Sequence, residues 1–389
     1  MAIETQSKHG VDITKQGIDQ RFNEGAQKYI HSLIGDVLSR QISQGFDKGS
    51  LQAFERVIIK DSSKFDLNRR VRDKLPGFGG SASEAGACVQ YEFDIKTGYV
   101  NDLSITPANS SDSKNALSTL DSIRKGDLTI RDLGYFVTEY FEKVQEKKAF
   151  YLSRLNASVA VFQKNEGKLK AMDFGSLTQR MKKGNMKTLD MDVIIHKEKK
   201  LSVRLILEQV SEEVYNQRMK KLAEYNKKKG HQITQNYRDR ARFNLFITNI
   251  PSDKIDTKTI SKIYKIRWQI ELVFKVWKSI FGIDNVGPMR YERLMATLNA
   301  KLLMVLVNWE TILAHRIYLY KKKGKLLSLS KCFKTLKDNS LQLRNILANG
   351  AHGIELWMKW VKEIFESKHW LERKKNKLGF EEIIGLNIL

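Results

Sequence analysis

The run Ile263-Tyr-Lys-Ile-Arg-Trp-Gln-Ile-Glu-Leu-Val-Phe-Lys-Val-Trp-Lys278 constrains this chain most. At 100° per residue, Glu271 and Lys278 fall about 20° and 40° from the line of Tyr264, and Arg267 about 60° from it. One helix would therefore present Tyr264, Arg267, Glu271 and Lys278 on one face, a single carboxylate among side chains able to bind phosphate. Ile266, Ile270, Phe274 and Trp277 form a second stripe, able to pack on a core while the polar stripe faces a cleft. A plain amphipathic surface helix shows the same split. The sequence predicts one continuous helix here, capped by Thr257.

Two upstream segments each end a hydrophobic run on an aspartate. Phe54-Glu-Arg-Val-Ile-Ile-Lys-Asp61-Ser-Ser reads as a buried β-branched strand closing at Asp61. Leu128-Thr-Ile-Arg-Asp132-Leu-Gly-Tyr-Phe repeats the design, with Gly134 opening the turn. A lone aspartate at a strand end is commonly a cap or turn former. Three carboxylates in the order Asp, Asp, Glu make a joint signal that none carries alone.

The spacing Tyr-two-Arg-three-Glu-six-Lys resembles the signature of transposases of the insertion-sequence-four family, and Arg267-Trp268-Gln269-Ile270-Glu271-Leu272-Val273-Phe274-Lys275 also looks like that family. Asp132-Leu-Gly-Tyr is similar to its second aspartate motif and Asp61-Ser-Ser to its first. The resemblance covers about residues 51 to 320 and is weak at both ends. The segment before Asp61 is short for such a family, which leaves open a truncated copy or a different arrangement for binding DNA.

Composition selects a ligand class independently. The chain has 389 residues, with 68 Lys and Arg against 44 Asp and Glu, a net charge of +24. Such a field suits a polyanion, nucleic acid first, with a ribosomal or membrane surface as the other readings. No stretch of eighteen apolar residues occurs, and the first residues lack the apolar run of a signal peptide, so the expectation is a soluble, intracellular protein; the family resemblance implies a cytoplasmic, nucleoid-associated one in a prokaryote. Two cysteines, Cys88 and Cys332, with no Cys/His cluster at zinc spacing, argue against a disulfide framework or structural zinc. No glycine-rich nucleotide loop appears.

Along the chain the fold class expected is α/β: a ribonuclease-H-like catalytic core interrupted by a β-rich insertion, with helical N- and C-terminal segments. Residues 1–50 read as short helices, Asp12–Phe22 with a Thr14 cap and Ala26–Leu38, that could form a helix-turn-helix presenting Lys15, Gln16, Gln20 and Arg21, or equally an undistinguished cap. Residues 51–149 give the Asp61 strand, a hairpin from Cys88–Ile95 and Tyr99–Ile105, a helix over about 111–124, the Asp132 strand and a helix over about 134–147. Residues 150–241 shift to strands at 158–162, 192–195 and 201–207 with Lys-rich turns. Residues 150–240 carry 20 Lys and Arg against 10 Asp and Glu. Residues 242–320 resume the core, with Tyr291–Tyr320 read as a buried core helix because Lys301, Asn308 and Glu310 interrupt it. Residues 321–389 read as helical, with Trp357, Trp360 and Trp370 as packing.

The resemblance implies a metal-dependent transposase acting on double-stranded DNA, its inverted-repeat ends and target brought together in a homodimer. It implies that Asp61, Asp132 and Glu271 hold two Mg²⁺ ions, Mn²⁺ substituting, with Asp61 bridging both. All-oxygen ligands suit these ions, and two of them together can activate a nucleophile and stabilise a leaving oxygen. It gives Tyr264 and Lys278 to the DNA end, and Arg267 either to phosphate or to holding Glu271. Relatives that flip a base use a tryptophan in the insertion. Here every Trp lies at 268 or later, leaving Tyr215, Tyr225, Tyr237 or a neighbouring Phe for such a step. An inactive DNA-binding descendant and a nuclease that hydrolyses without joining strands are the competing readings.

Overall fold

The computed structural model describes residues 5–7, 10–39, 49–79, 83–165, 168–196, 200–229, 234–347 and 349–372. His231 and the outermost parts of both terminal segments therefore lie outside the described residues. The strands are β1 Val57–Leu67, β2 Ala85–Asp94, β3 Val100–Pro107, β4 Leu128–Arg131, β5 Phe150–Arg154, β6 Val161–Asn165, β7 Lys168–Ala171, β8 Thr188–Ile195, β9 Leu201–Gln209 and β10 Phe243–Thr248. They form one sheet in the order β3-β2-β1-β4-β5-β10-β9-β8-β6-β7. Only β1–β4 and β4–β5 are parallel; the other pairs are antiparallel.

The central parallel strands are apolar on both faces because both faces are covered. Side chains alternate: Val57, Ile59 and Ile130 enter one core, while Ile58 and Tyr151 enter the other. In chain order the helices are α1 Lys15–Arg21, α2 Glu24–Ser39, α3 Asp112–Ser118, α4 Thr138–Glu146, α5 Phe174–Lys183, α6 Glu212–Lys229, α7 Gln235–Arg240, α8 Thr257–Lys265, α9 Trp268–Val276, α10 Tyr291–Lys323, α11 Leu329–Asp338, α12 Ser340–Leu347 and α13 Gly350–Lys368. Residues of α8, α9 and α10 pack into the first core, and Tyr140, Phe141 and Val144 of α4 into the second.

Several elements differ from expectation. β1 does not close at Asp61: it runs on to Leu67 because β2 pairs with it from Ile58 to Leu67. The expected helix over 111–124 is shorter, α3 followed by a 3₁₀ turn at Leu120–Ser122, and that over 134–147 begins as a 3₁₀ turn at Leu133–Tyr135 before α4. Phe150–Arg154, which opens the basic segment, is a strand between β4 and β10. β6 to β9 continue the same sheet from the other edge of β10. The single helix expected from Thr257 is three pieces. It is capped by Asp256, whose carboxylate accepts from the Thr259 N–H at 2.9 Å, and it tightens at Ile266–Arg267 and widens to a π-turn at Trp277–Phe281.

The hairpin β2–β3 and the Thr14 cap, whose hydroxyl accepts from the Gly17 N–H, lie where the pattern puts them. α2 packs along α10 with Ile34 buried, and Asp19 pairs with Arg293 at 2.7 Å. Lys15, Gln16, Gln20 and Arg21 are all exposed. α10 is the only described helix long and apolar enough to cross a membrane. It is a core helix instead, with Leu302, Val305, Leu306 and Trp309 buried against the sheet and the C-terminal helices.

Candidate active site

Asp61 and Asp132 come together through strand register. The last parallel pair of β1 and β4 is Lys60↔Arg131, so each aspartate stands one residue beyond it, where β4 leaves the sheet and β1 continues. Alternation turns both toward the α8–α9 junction, where Arg267 meets them. Their neighbours Lys60 and Arg131 point the opposite way, into a buried polar layer where Arg131 donates to Glu92 at 2.7 Å and Lys60 to Asp102 at 3.1 Å. Arg131 also lies 3.9 Å above the Tyr140 ring. Burial depresses the Lys60 ammonium from its ordinary value. This layer fixes the backbone from behind.

Arg267 joins the third carboxylate to these two. It sits between α8 and α9, where the backbone tightens to i→i+3 bonds, Arg267 N–H to Tyr264 O and Ile270 N–H to Arg267 O among them. From there Nη1 lies 2.9 Å from Asp61 Oδ2, Nη2 2.5 Å from Glu271 Oε1, and Nε 3.7 Å from Asp132 Oδ1. The arginine and Asp61 side chains are each 16 % exposed, whereas Asp132 and Glu271 are 43 % and 41 % exposed and edge the solvent.

The electrostatics follow from that crowding. Burial pushes the Asp61 carboxyl up to about 6; the Ser62 N–H and Arg267 oppose this, while Asp132 and Glu271 add to it. Arg267 is held above its ordinary value by the same carboxylates in spite of burial. A cleft of about 590 Å³ opens beside them, lined by Asp61, Ser62, Glu271, Lys275, Lys278 and Asp284 among others. Lys278 Nζ donates to the Lys64 carbonyl at 3.2 Å, spanning from the π-turn to β1. Chemically, three carboxylates gathered on one cation form an all-oxygen donor set of the type that suits a hard divalent ion. Among the described residues, no three His, Cys, Asp or Glu side chains stand close enough to share one ion; at this site the guanidinium lies between the carboxylates.

Of the six residues singled out from sequence, the structure gathers Asp61, Asp132, Arg267 and Glu271 directly and places Lys278 on the same cleft. Tyr264 is turned further in. Its ring packs on Phe246 at 5.2 Å, and burial pushes its hydroxyl up to about 12, opposed by the nearby Arg267 charge. The i→i+3 bonds after Tyr264 interrupt the single regular helix expected here. Sequence reasoning missed Ser62, Lys275 and Asp284 as cleft residues. Lys275 had a signal, standing four residues after Glu271, whereas Asp284 had none. Of the tyrosines considered for stacking, Tyr225 and Tyr237 are exposed, and Tyr215 lies under Arg242 at 4.0 Å.

Comparison with known proteins agrees with this geometry. The family profile described as "Transposase DDE domain" matches residues 52–307, which contain all three carboxylates. The transposase for insertion sequence element IS231F of Bacillus thuringiensis subsp. israelensis is 28% identical over 355 residues, covering 87% of this chain and 74% of the relative. The transposase for insertion sequence element IS1151 of Clostridium perfringens is 28% identical over 384 residues, covering 94% and 80%. A putative transposase, InsL, for element IS186A of Escherichia coli K12 is 31% identical over 83 residues, 21% of this chain and 22% of the relative. A profile match over most of the chain, together with the Asp, Asp, Glu order brought to one place, decides the matter: this chain belongs to the DDE transposases of the insertion-sequence-four type, enzymes of DNA transposition that depend on divalent metal.

Proposed function

We propose that Asp61, Asp132 and Glu271 are the metal-holding carboxylates of this transposase and that they take two Mg²⁺ ions, with Mn²⁺ able to replace them. The observation that carries this reading is their convergence on one guanidinium beside an open, partly basic cleft that Asp61 and Glu271 line. When bound, the ions supply activation of a water or 3′-hydroxyl and stabilisation of the leaving oxygen at a phosphodiester. The chain itself supplies placement. The register of β1 and β4 aims two carboxylates, and α9 brings the third. Asp61, beside Ser62, would be the most recessed of the three ligands, 16 % exposed against 43 % and 41 %.

Lys278, which lines the cleft, and Arg267, which contacts the cleft carboxylates Asp61 and Glu271, are assigned to the DNA end, Lys278 as a point charge and Arg267 as a fork for phosphate. The Tyr264 hydroxyl is buried beside them and reaches a phosphate only if the end enters next to Arg267. The parallel trio β1, β4 and β5 with α4 is the part we read as a ribonuclease-H-like core, split as 51–149 and 242–320. Residues 150–241 form a basic arm that grips DNA, and 1–50 and 321–389 are helical flanks. Inverted-repeat ends and target DNA are held by a homodimer in the cytoplasm, at the nucleoid.

The test is cleavage and joining on DNA carrying the element's flanking inverted repeats, with Mg²⁺ or Mn²⁺, for wild type and Glu271→Gln. Loss of both products in the variant, with DNA binding retained, is expected. Nicking without joined product in the wild type would point to a nuclease, and binding without metal-dependent cleavage to an inactive binding protein.

A further inference from the structure

We propose that the Arg267 guanidinium is the resting counter-ion of the carboxylate site, and that it withdraws when Asp61, Asp132 and Glu271 close on a divalent cation. The inference rests on the assignment of those three residues as metal holders made above. Three of the five nitrogen-borne protons of a guanidinium can serve three acceptors at once, which no ammonium does in a fixed plane. Here Nη1, Nη2 and Nε face Asp61, Glu271 and Asp132, at 2.9, 2.5 and 3.7 Å. The carboxylates are thereby held around the arginine, each facing a different nitrogen rather than a common point.

The arrangement is electrostatically self-limiting. One positive charge among three carboxylates holds the cluster together and leaves a net deficit of positive charge. A guanidinium does not lose its proton in proteins, unlike a lysine in the same place, so it cannot yield to an incoming dication by discharging. It must move. Arg267 is placed for that, because it leaves the backbone at the tightened turn between α8 and α9 rather than from the middle of a regular helix. The freed fork matches a phosphodiester oxygen pair. Metal entry and arginine release are then two halves of one exchange.

The exchange makes a prediction of sign. If Arg267 occupies the ground the ion needs, removing its charge tightens metal binding. If instead it organises the carboxylates for the ion, removing it weakens binding. The experiment is Mn²⁺ binding to the full chain without DNA, followed by the paramagnetic resonance signal of free Mn²⁺. The samples are wild type, Arg267→Gln, Arg267→Lys and the double variant Asp61→Asn/Glu271→Gln. We expect Arg267→Gln to bind at least about tenfold more tightly, a floor for relieving one close like-charge contact away from bulk water. Arg267→Lys, which keeps a charge but not the three-way fork, should fall between. Melting without metal should drop in Arg267→Gln and recover further on Mn²⁺ addition than in wild type. Equal or weaker Mn²⁺ binding in both arginine variants overturns the exchange while leaving the metal site standing. Wild-type binding in the double variant overturns the metal assignment itself. If Arg267→Gln does not fold without metal, the Arg267→Lys comparison decides by the same sign.

Discussion

Arg204 gives a prediction whose size can be worked from its contacts. It lies on β9, 7 % exposed, with Nε and Nη2 on the two carboxylate oxygens of Asp190 in β8, the shortest contact being 2.6 Å. Its Nη1 donates to the carbonyls of Ile250 and Ile255 at 3.0 and 2.9 Å, and Asp190 also accepts from the Thr257 hydroxyl. The pair thus clasps the segment that leads into α8. Arg204→Met keeps the apolar stem, so little cavity forms, but strands one carboxylate and two carbonyls. Breaking a buried pair by removing one partner costs about 3–5 kcal/mol. Asp190 is 25 % exposed and keeps Thr257, so its share is partly rehydrated, and the expected loss is about 3 kcal/mol. Urea denaturation measures it, with Lys28→Ala as reference: the Lys28–Glu24 pair is 74 % and 71 % exposed, so water screens it and its loss should leave the transition almost where it was. A loss below about 1 kcal/mol for Arg204→Met would refute the clasp, since it would mean that water already serves those groups.

The same pair sets a pH dependence. Burial pulls the Asp190 carboxyl upward, but hydrogen bonds from Arg204 and Thr257 and the guanidinium charge outweigh it and hold it below 3.8. A depressed carboxyl contributes stability above its unfolded value and loses it as pH falls through the folded one. The advantage of wild type over Asp190→Asn, measured by denaturation across pH, should be flat above about pH 5 and shrink below about pH 4. Gly98→Ala should destabilise by about 2 kcal/mol or more, read as a lowered melting temperature. Gly98 has φ +78°, and a Cβ there would lie 2.3 Å from Leu313 Cδ2, beside the carbonyl that accepts from Trp309 Nε1 at 3.0 Å.

What the sequence determined by itself is local. Hydrophobic periodicity marked Ile266, Ile270, Phe274 and Trp277 as a packing stripe, and all four are buried. Turn chemistry located the β2–β3 hairpin, the Thr14 cap and the chain's departure from the sheet after Arg131. These follow from neighbours in the chain, because side-chain period, capping and glycine turns are decided within a few residues. Spacing also placed Glu271 and Lys278 on one polar face, and in the structure both line one cleft.

Tertiary structure decided the rest. Asp61 stands within a strand rather than at its end because β2, a partner with no mark in the local run, carries β1 on to Leu67. The predicted helix breaks at Arg267, whose partners include Asp61, 206 positions away. Strand β9 joins the edge of β10 with β8 on its far side, and the pair reaches across to Ile255 and Thr257, so a segment that reads as separate from the core holds the entry to α8. Strand order and cross-chain ion pairs depend on which distant surfaces meet when the chain closes. A periodic pattern records which face of an element is buried, and says nothing of what covers it.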